Sequence, residues 1–213
     1  NQFVLTGAQD TNGEMIARNI DKSYRMGIEL QAAVRPFRGF QWDINATWSK
    51  NRAKDMMLNV IDPDTWDAHQ VNVGETKLAF SPDWIASSTL KYELRRWQIS
   101  LQTKYVSKQY MTNSGFRRYL NTDGQTYTSA MIDAFCTTDI DLNYTFRLKG
   151  IGWCKAGLTV YNVLNHTYES NGSCSMNYRL TASGLEAYDG GRAWSTYSAQ
   201  APTHFMCYLN ISL

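Results

Sequence analysis

Aromatic and cationic side chains recur on the long polar segments of this chain, and they are the residues best suited to binding chemistry. Arg and His pair with anions, while Trp and Tyr stack on conjugated groups and donate hydrogen bonds to them. Segments held by a rigid scaffold commonly carry recognition residues. The pattern predicts a site for an anionic, conjugated ligand, although each residue alone fits simple packing between segments equally well. The candidates are Trp66, His69, Arg117, Arg118, Tyr119, Tyr178, Arg192 and Trp194.

The histidines and carboxylates form no recognisable catalytic or metal-binding pattern. No HExxH motif, no His–Cys cluster and no GxSxG motif occurs. His69 could ligate a haem or a metal, but a solvated side chain is the simpler expectation, and His166 is expected at the end of a strand. Asp139, Asp141 and His204 could supply parts of an acid–His arrangement. We therefore expect no enzymatic activity, no metal site and no cofactor.

The four cysteines include no CxxC pair, which argues against a disulfide scaffold and a zinc ribbon. Cys154 and Cys207 occupy apolar positions of alternating segments, where they should pack as small hydrophobic residues. Cys136 and Cys174 could meet and form a bridge. The sequence leaves that pairing open.

Composition excludes several classes of protein. The net charge of +2 is too small for a nucleic-acid-binding face. No apolar run approaches the roughly 20 residues of a membrane-spanning helix. An apolar content of 43% excludes wholesale disorder. The 7 Trp and 13 Tyr remain to be explained.

Hydrophobic residues alternate with polar ones over long stretches, which is the period of a β-strand. The alternation is complete over residues 40–48, where apolar Phe40 and Trp48 mark the ends. We predict an all-β chain of eight strands. They cover residues 1–7, 21–36, 39–54, 78–94, 97–110, 134–148, 153–167 and 202–213.

The connections between these strands alternate between short and long, as in an outer-membrane barrel. Aromatic residues also bracket the apolar face, with Phe40 eight residues from Trp48 and Trp97 eight residues from Tyr105. At ~3.3 Å per residue and ~45° tilt, eight residues span roughly 19 Å of membrane depth, close to the spacing of two interfacial belts. These two features favour a transmembrane barrel over a soluble β-sandwich.

In such a barrel one face of each strand contacts lipid and the other lines a wet interior. The predicted lipid-facing residues are Trp42, Ile44, Trp48, Ile99, Leu101, Leu142, Tyr144, Phe205, Leu209 and Ile211. Charged residues occupy mid-strand positions of the opposite face. They are Arg25, Glu29, Asp43, Lys91, Lys104, Asp139, Asp141 and Lys155.

Four stretches resemble motifs of TonB-dependent outer-membrane receptors. Residues 23–30 (SYRMGIEL) resemble their Tyr/Arg-x-Gly-x-Glu strand motif, and 80–86 (FSPDWIA) resemble their Ser-Pro strand start. Residues 104–110 (KYVSKQY) are similar to a strand end of the family, and 160–168 (VYNVLNHTY) to its penultimate-strand motif. The stretches follow the family's order. One departure is Leu213, since the family usually ends in an aromatic residue.

The resemblance implies that residues 1–213 are the C-terminal portion of a single barrel domain, the last eight strands of a 22-stranded antiparallel up-and-down barrel. It implies short periplasmic turns, long extracellular loops, a plug domain outside this chain, and a place in the Gram-negative outer membrane. The implied function is TonB-energised uptake of an iron–siderophore, haem or cobalamin. The implied partners are the N-terminal strands and plug of the same receptor, the TonB complex through the plug, membrane lipid and lipopolysaccharide, and a surface lipoprotein.

Three alternatives remain open at this stage. One is a non-transporting barrel that acts as an adhesin or a structural protein. Another is a soluble carbohydrate-binding β-sandwich, whose strands also alternate. The third is an eight-stranded barrel that closes on itself, which the short first strand argues against because it pairs poorly with a full-length last strand.

Overall fold

The computed structural model describes residues 2–9, 15–20, 22–61, 65, 67–120, 127–175, 177–181, 184–188 and 194–212. All regular structure in these ranges is β-strand. The strands in chain order are β1 (Gln2–Gln9), β2 (Met15–Ile20), β3 (Ser23–Val34), β4 (Phe40–Ala53), β5 (Met57–Ile61), β6 (Ala68–Asn72), β7 (Thr76–Lys77), β8 (Trp84–Leu94), β9 (Trp97–Val106), β10 (Gln109–Tyr110), β11 (Arg118–Leu120), β12 (Tyr127–Ser129), β13 (Met131–Ile132), β14 (Phe135–Leu148), β15 (Gly152–Tyr161), β16 (Glu169–Ser175), β17 (Asn177–Thr181), β18 (Gly184–Tyr188), β19 (Trp194–Ala199) and β20 (His204–Ser212).

Seven long strands form one antiparallel sheet, which we call the wall. Its order is β20-β15-β14-β9-β8-β4-β3, so each long strand lies beside its neighbours in the chain. The two-residue strand β7 pairs with the end of β4 as the eighth member. This is the predicted antiparallel up-and-down arrangement. Within the described ranges β3 and β20 do not pair with each other, so the wall is an open sheet and not a self-closed eight-stranded barrel.

The connections at one end of the wall are short. Gly39 ends the first of them with φ of +83°, and a Cβ there would lie 2.3 Å from the carbonyl oxygen of Glu93. Arg95, in the two-residue turn between β8 and β9, has φ of +55°. Gly150, with φ of +84°, lies in the turn between β14 and β15. The long connections all lie at the other end, as the loop lengths predicted.

The prediction of a wall strand at residues 1–7 is corrected by the structure. That segment is strand β1, but it pairs with β2 and not with the wall. The reason is local: only residues 10–14 separate the two segments, so a hairpin forms at small cost in loop-closure entropy. The hairpin precedes β3 directly in the chain.

Three other predicted strands are longer than the observed ones. The strand predicted for 97–110 ends at Val106, and residues 109–110 form the separate strand β10, which pairs with β13. The strand predicted for 78–94 begins at Trp84, since Phe80 has φ of +51° and Pro82 cannot donate a ladder hydrogen bond. The strand predicted for 153–167 ends at Tyr161, because Asn162 adopts φ of +49°. A left-handed residue cannot continue a strand.

The buried apolar core lies at the long-loop end and not within the wall. Its members come from the ends of β2 and β4 and from the connection that follows β4. They are Ile20, Ala53, Met56, Leu58, Val60 and Leu78, with Val71, Val73, Phe116 and Leu185 packed against them. The long loops are therefore folded around their own core, as compact loop structures are expected to be.

Candidate ligand-binding loops and the two faces of the wall

The register of the wall places apolar side chains opposite one another across all seven long strands. Consecutive residues in the following row are direct cross-strand neighbours. The row consists of Val34, Trp42, Leu90, Leu101, Ile140, Val160 and Phe205. Because side chains alternate between faces, one row of this kind defines a continuous apolar face of the sheet.

The ten residues predicted to face lipid share this face. Trp42, Leu101 and Phe205 belong to the row above, and Ile44 and Trp48 follow Trp42 at steps of two. The other predicted residues lie on the same face because their cross-strand partners do. The pairs are Ile99–Leu142, Trp97–Tyr144, Ala156–Leu209 and Cys154–Ile211. That this face contacts lipid stays a prediction.

Large side chains on this face are uncovered. Leu30 is 67% exposed and Phe205 is 73% exposed. Neither has a charged neighbour on its own face. A soluble protein rarely leaves so wide an apolar surface open. This argues against the β-sandwich, in which a second sheet covers the apolar face.

Aromatic residues lie at both ends of the apolar face. At the short-turn end, ring centroids of Phe37 and Phe40 are 4.9 Å apart and those of Trp97 and Tyr144 are 4.5 Å apart. We call this group, with Tyr92 and Phe146, the turn-side belt. Toward the loops, Trp48 pairs with Trp84 and Tyr105 lies one strand further on. We call these three residues the loop-side belt.

The opposite face of the wall is polar. Asp43, Thr89, Gln102 and Asp139 are successive cross-strand neighbours on it. Side chains there satisfy one another: Thr159 donates to Asp141 over 2.8 Å. Such hydrogen bonding keeps mid-strand carboxylates compatible with a sheet.

Tyr208 covers the gap left by Gly157 on the polar face. The two residues are cross-strand partners, and a Cβ on Gly157 would lie 2.2 Å from Cζ of Tyr208. The Tyr208 hydroxyl donates to Asn143, whose amide in turn donates to Asp141. Glycine at this position leaves the space that the Tyr208 ring occupies.

The structure places the predicted ligand-binding residues on the long loops. His69 is exposed on β6, where it pairs with Val60. Arg117 is exposed, and its Nε donates to the Tyr110 hydroxyl over 3.2 Å. Arg118 is exposed at the start of β11. Trp66 and Arg192 lie outside the described residues. Only the backbone positions of Tyr119, Tyr178 and Trp194 are described, on β11, β17 and β19.

Several of these residues share one loop assembly. Strands β12-β11-β18-β17 form a four-stranded sheet that contains Arg118, Tyr119 and Tyr178. Strand β19, which begins at Trp194, is joined to this sheet because Ser195 and Tyr197 both donate side-chain hydrogen bonds to the Ser129 carbonyl, over 2.9 and 3.1 Å. The β5–β6 hairpin of His69 contacts this sheet through β17.

Two tyrosines of the loops make contacts that no sequence pattern indicates. Tyr110 is buried, accepts from Arg117, and has the Lys77 ammonium 5.9 Å from its ring centroid. Tyr168 stacks on Phe135 with centroids 4.4 Å apart, and desolvation together with the charge of Asp139 raises the pKa of Tyr168. Most of these contacts join segments that are distant in the chain, so only the three-dimensional structure reveals them.

The pairing of Cys136 with Cys174 that the sequence left open does not form, since all four cysteines are free thiols. Cys136 lies opposite Tyr105 on the apolar face, whereas Cys174 lies in β16 of the loop assembly. Cys154 and Cys207 occupy the apolar face, as predicted, and Cys154 is only 1% exposed.

Cys174 should react slowly with maleimide or iodoacetamide at pH 8. Burial raises the pKa of its thiol, and the hydrogen bond with Ser195 opposes this only in part. A raised pKa leaves less thiolate at a given pH, and the thiolate is the nucleophile. In a Cys136→Ser/Cys207→Ser receptor, alkylation of Cys174 followed by peptide mass spectrometry should reach half its maximal rate at a higher pH in the folded state than in the urea-unfolded state. The same half-maximal pH in both states would contradict the burial.

Among the described residues, no group of His, Cys, Asp and Glu side chains could hold a metal ion. No helix with the length and apolar character of a membrane-spanning segment occurs in the described part of the chain.

The open antiparallel wall with one apolar and one polar face, together with the structured long loops, has the architecture of a segment of a β-barrel wall. The family described as "TonB dependent receptor-like, beta-barrel" matches residues 1–163. The chain belongs to this family. Members of the family are receptors and transporters, which confirms the prediction that the chain is not an enzyme. No curated protein sequence matches the chain.

Solved structures of receptors share this architecture. The siderophore receptor PiuA from Acinetobacter baumannii matches with a TM-score of 0.55 and 11% identity, over 88% of this chain and 22% of PiuA. BauA, the ferric preacinetobactin receptor of the same organism, matches with a TM-score of 0.56 and 11% identity, over 99% of this chain and 25% of BauA. The ferric-catecholate import receptor Fiu from E. coli K12 matches with a TM-score of 0.52 and 16% identity, over 95% of this chain and 22% of Fiu. These likenesses show the fold, and the chain spans at most a quarter of each of the three receptors.

Proposed function

We propose that this chain forms the C-terminal part of the barrel of an outer-membrane receptor that imports an iron–siderophore complex. The two faces of the wall carry the proposal. An apolar face that runs across seven strands suits hydrocarbon, and the polar face behind it suits a wet interior. The three receptors with the same fold are a siderophore receptor, a ferric-catecholate import receptor and a ferric preacinetobactin receptor.

In this proposal the apolar face contacts outer-membrane lipid and lipopolysaccharide, and the polar face contacts the plug. The N-terminal strands of the same receptor complete the barrel, and the TonB complex acts through the plug. A surface lipoprotein is a further proposed partner. The long loops lie outside the cell and cover the entrance, where their cations and aromatic rings meet the ligand.

Loop structure supports ligand capture. The described parts of the loops have a buried core and their own sheets, so the backbone of strands β6, β11, β17 and β19 is held in regular structure. Preorganised groups bind with a smaller entropy loss. Haem and cobalamin are also large and conjugated, and they remain competing ligands in the test below.

Arg118→Ala should weaken capture of an anionic iron complex. The loss of one charge-assisted hydrogen bond to the ligand corresponds to about a tenfold increase in Kd. The measurement is iron-limited growth of cells that carry the full-length receptor, with a ferric catechol siderophore, haem or cobalamin as separate supplements, together with Kd from tryptophan quenching. Arg38→Ala, an exposed arginine at the short-turn end, is the matched control.

Growth supported by the catechol complex alone, with weaker binding only in the Arg118 variant, supports the proposal. Growth on haem or cobalamin alone would assign the receptor to that ligand instead. Equal losses of ligand affinity in the Arg38 and Arg118 variants would show that the loop assembly does not take part in ligand capture.

A further inference from the structure

The apolar face of the wall becomes cationic just beyond the loop-side belt. Lys50 and Arg52 continue the alternation of β4 that carries Trp48, so both lie on the same face as that indole. Arg52 is the cross-strand partner of Lys77, and Tyr24 pairs with Arg52 from the other side. This face is therefore apolar up to Trp48 and basic above it.

Two carboxylates and two aromatic rings hold these cations in place. Glu75 lies 4.0 Å from Lys50 and 3.9 Å from Arg52, and it accepts a hydrogen bond from the Tyr24 hydroxyl over 3.2 Å. Asp83 lies 3.8 Å from Arg52 and pairs closely with Lys77. The Tyr24 ring also has the ammonium groups of Lys50 and Lys54 above it, at 5.8 and 5.3 Å from its centroid.

The cluster extends one step further through Tyr110, which contacts Lys77 with its ring and Arg117 with its hydroxyl. We call the resulting set the basic patch. It consists of the cations Lys50, Arg52, Lys54, Lys77 and Arg117 and the anions Glu75 and Asp83.

The basic patch keeps a positive excess after its internal pairs are counted. Five cations face two carboxylates, so three positive charges are not neutralised within it. The side chains of Lys50 and Lys77 are 40% and 32% exposed, whereas Arg52 is 16% exposed. Arg52 is thus the most enclosed cation of the three, and the more exposed lysines are the groups that an external anion would meet first.

The depth of the patch matches the headgroup layer of a bilayer. Lys50 and Arg52 are two and four residues beyond Trp48. At ~3.3 Å per residue and ~45° tilt, they lie about 5 and 9 Å above the loop-side belt. The headgroup layer on each side of the hydrocarbon core is about 5–8 Å thick.

We propose that the basic patch binds the phosphate groups of anionic lipid in the outer leaflet. The inference rests on the proposed function only in requiring that the wall spans the outer membrane. A ligand inside the barrel faces the opposite side of the sheet from Lys50, Arg52 and Lys77 and cannot reach these three cations. Anionic headgroups beside the barrel are at the right depth and carry the complementary charge.

The test uses the full-length receptor in a neutral detergent, titrated with lipid A or with dephosphorylated lipid A and examined by native mass spectrometry. We expect at least about tenfold tighter binding of the phosphorylated lipid and weaker binding at high salt. The Lys50→Gln/Arg52→Gln/Lys77→Gln variant should lose that preference. The matched control, Lys91→Gln/Lys104→Gln/Lys155→Gln, removes the same charge from the polar face and should keep it.

Glu75→Gln provides a second variant with the opposite expectation, because it enlarges the positive excess and should tighten lipid A binding about twofold to threefold. If the triple variant does not fold, as judged by heat-modifiable migration in gels, lipid A binding by the Glu75→Gln variant tests the inference instead. Equal binding of both lipids by the wild type, or equal losses in the two triple variants, would overturn the inference. A receptor that does not insert into the outer membrane would instead overturn the proposed function.

Discussion

Ile44→Arg should cost about 2–4 kcal/mol of folding free energy in a lipid bilayer, since arginine on the lipid face is most costly near the midplane. Ile44 lies halfway between Phe40 of the turn-side belt and Trp48 of the loop-side belt. Leu142 is the partner of Ile99, only two residues from Trp97, so Leu142→Arg lies closer to an interface and should cost less.

The measurement is urea unfolding of the full-length receptor in phosphatidylcholine vesicles. Gln102→Arg is the matched control, because Gln102 is exposed on the polar face and its cross-strand partner Asp139 can accept the new charge. Lys104→Ala, on that same face, should barely affect insertion. Equal destabilisation by arginine at positions 44 and 102 would refute the assignment of the two faces.

Asn162→Ala should destabilise the receptor by about 3–5 kcal/mol, because three hydrogen bonds and a left-handed residue are affected together. Asn162 is 4% exposed. Its amide donates to the carbonyls of His166 and Ala201 over 2.9 and 3.4 Å, and its Oδ1 accepts from the His166 amide over 3.0 Å. This side chain therefore joins the end of β15 to the segment that leads into β20.

Backbone groups of Asn162 extend the same junction. Its amide donates to Asp139 over 2.8 Å, and its carbonyl accepts from the Thr203 hydroxyl over 2.6 Å. Asn162→Gly separates the two contributions, because glycine tolerates φ of +49° but lacks the amide. In urea unfolding the glycine variant should recover about 1 kcal/mol relative to alanine. Two variants of wild-type stability would show that the junction contributes nothing.

The long strands were predictable because a wall with one apolar and one polar face imposes period two on the sequence itself. Residues 40–48 follow that period without an exception, and all of them lie in strand β4. The motif 160–168 was also recognisable, and the structure explains it: Asn162 and Asn165 adopt left-handed conformations and both hold Thr203.

The loop strands and the loop core were not predictable from local pattern. Met56, Leu58 and Val60 read as part of a long polar connection, yet they are buried against Leu78 and Ile20. Their burial depends on contacts between segments far apart in the chain, and short strands carry too few residues for a clear period. For the same reason the role of Tyr110 beside Arg117 had no signal in the sequence.

The two edge strands of the wall, β3 and β20, affect whether the polypeptide aggregates when it is expressed on its own. Within the described residues, β3, with 12 residues, and β20, with 9, each have a neighbour on one side only. Their outer amides and carbonyls are templates for another strand, and hydrocarbon offers them no water as a substitute. Expressed alone, the chain should form cross-β aggregates through these edge strands. Refolding yield should rise when the companion strands of the barrel are present in the same chain.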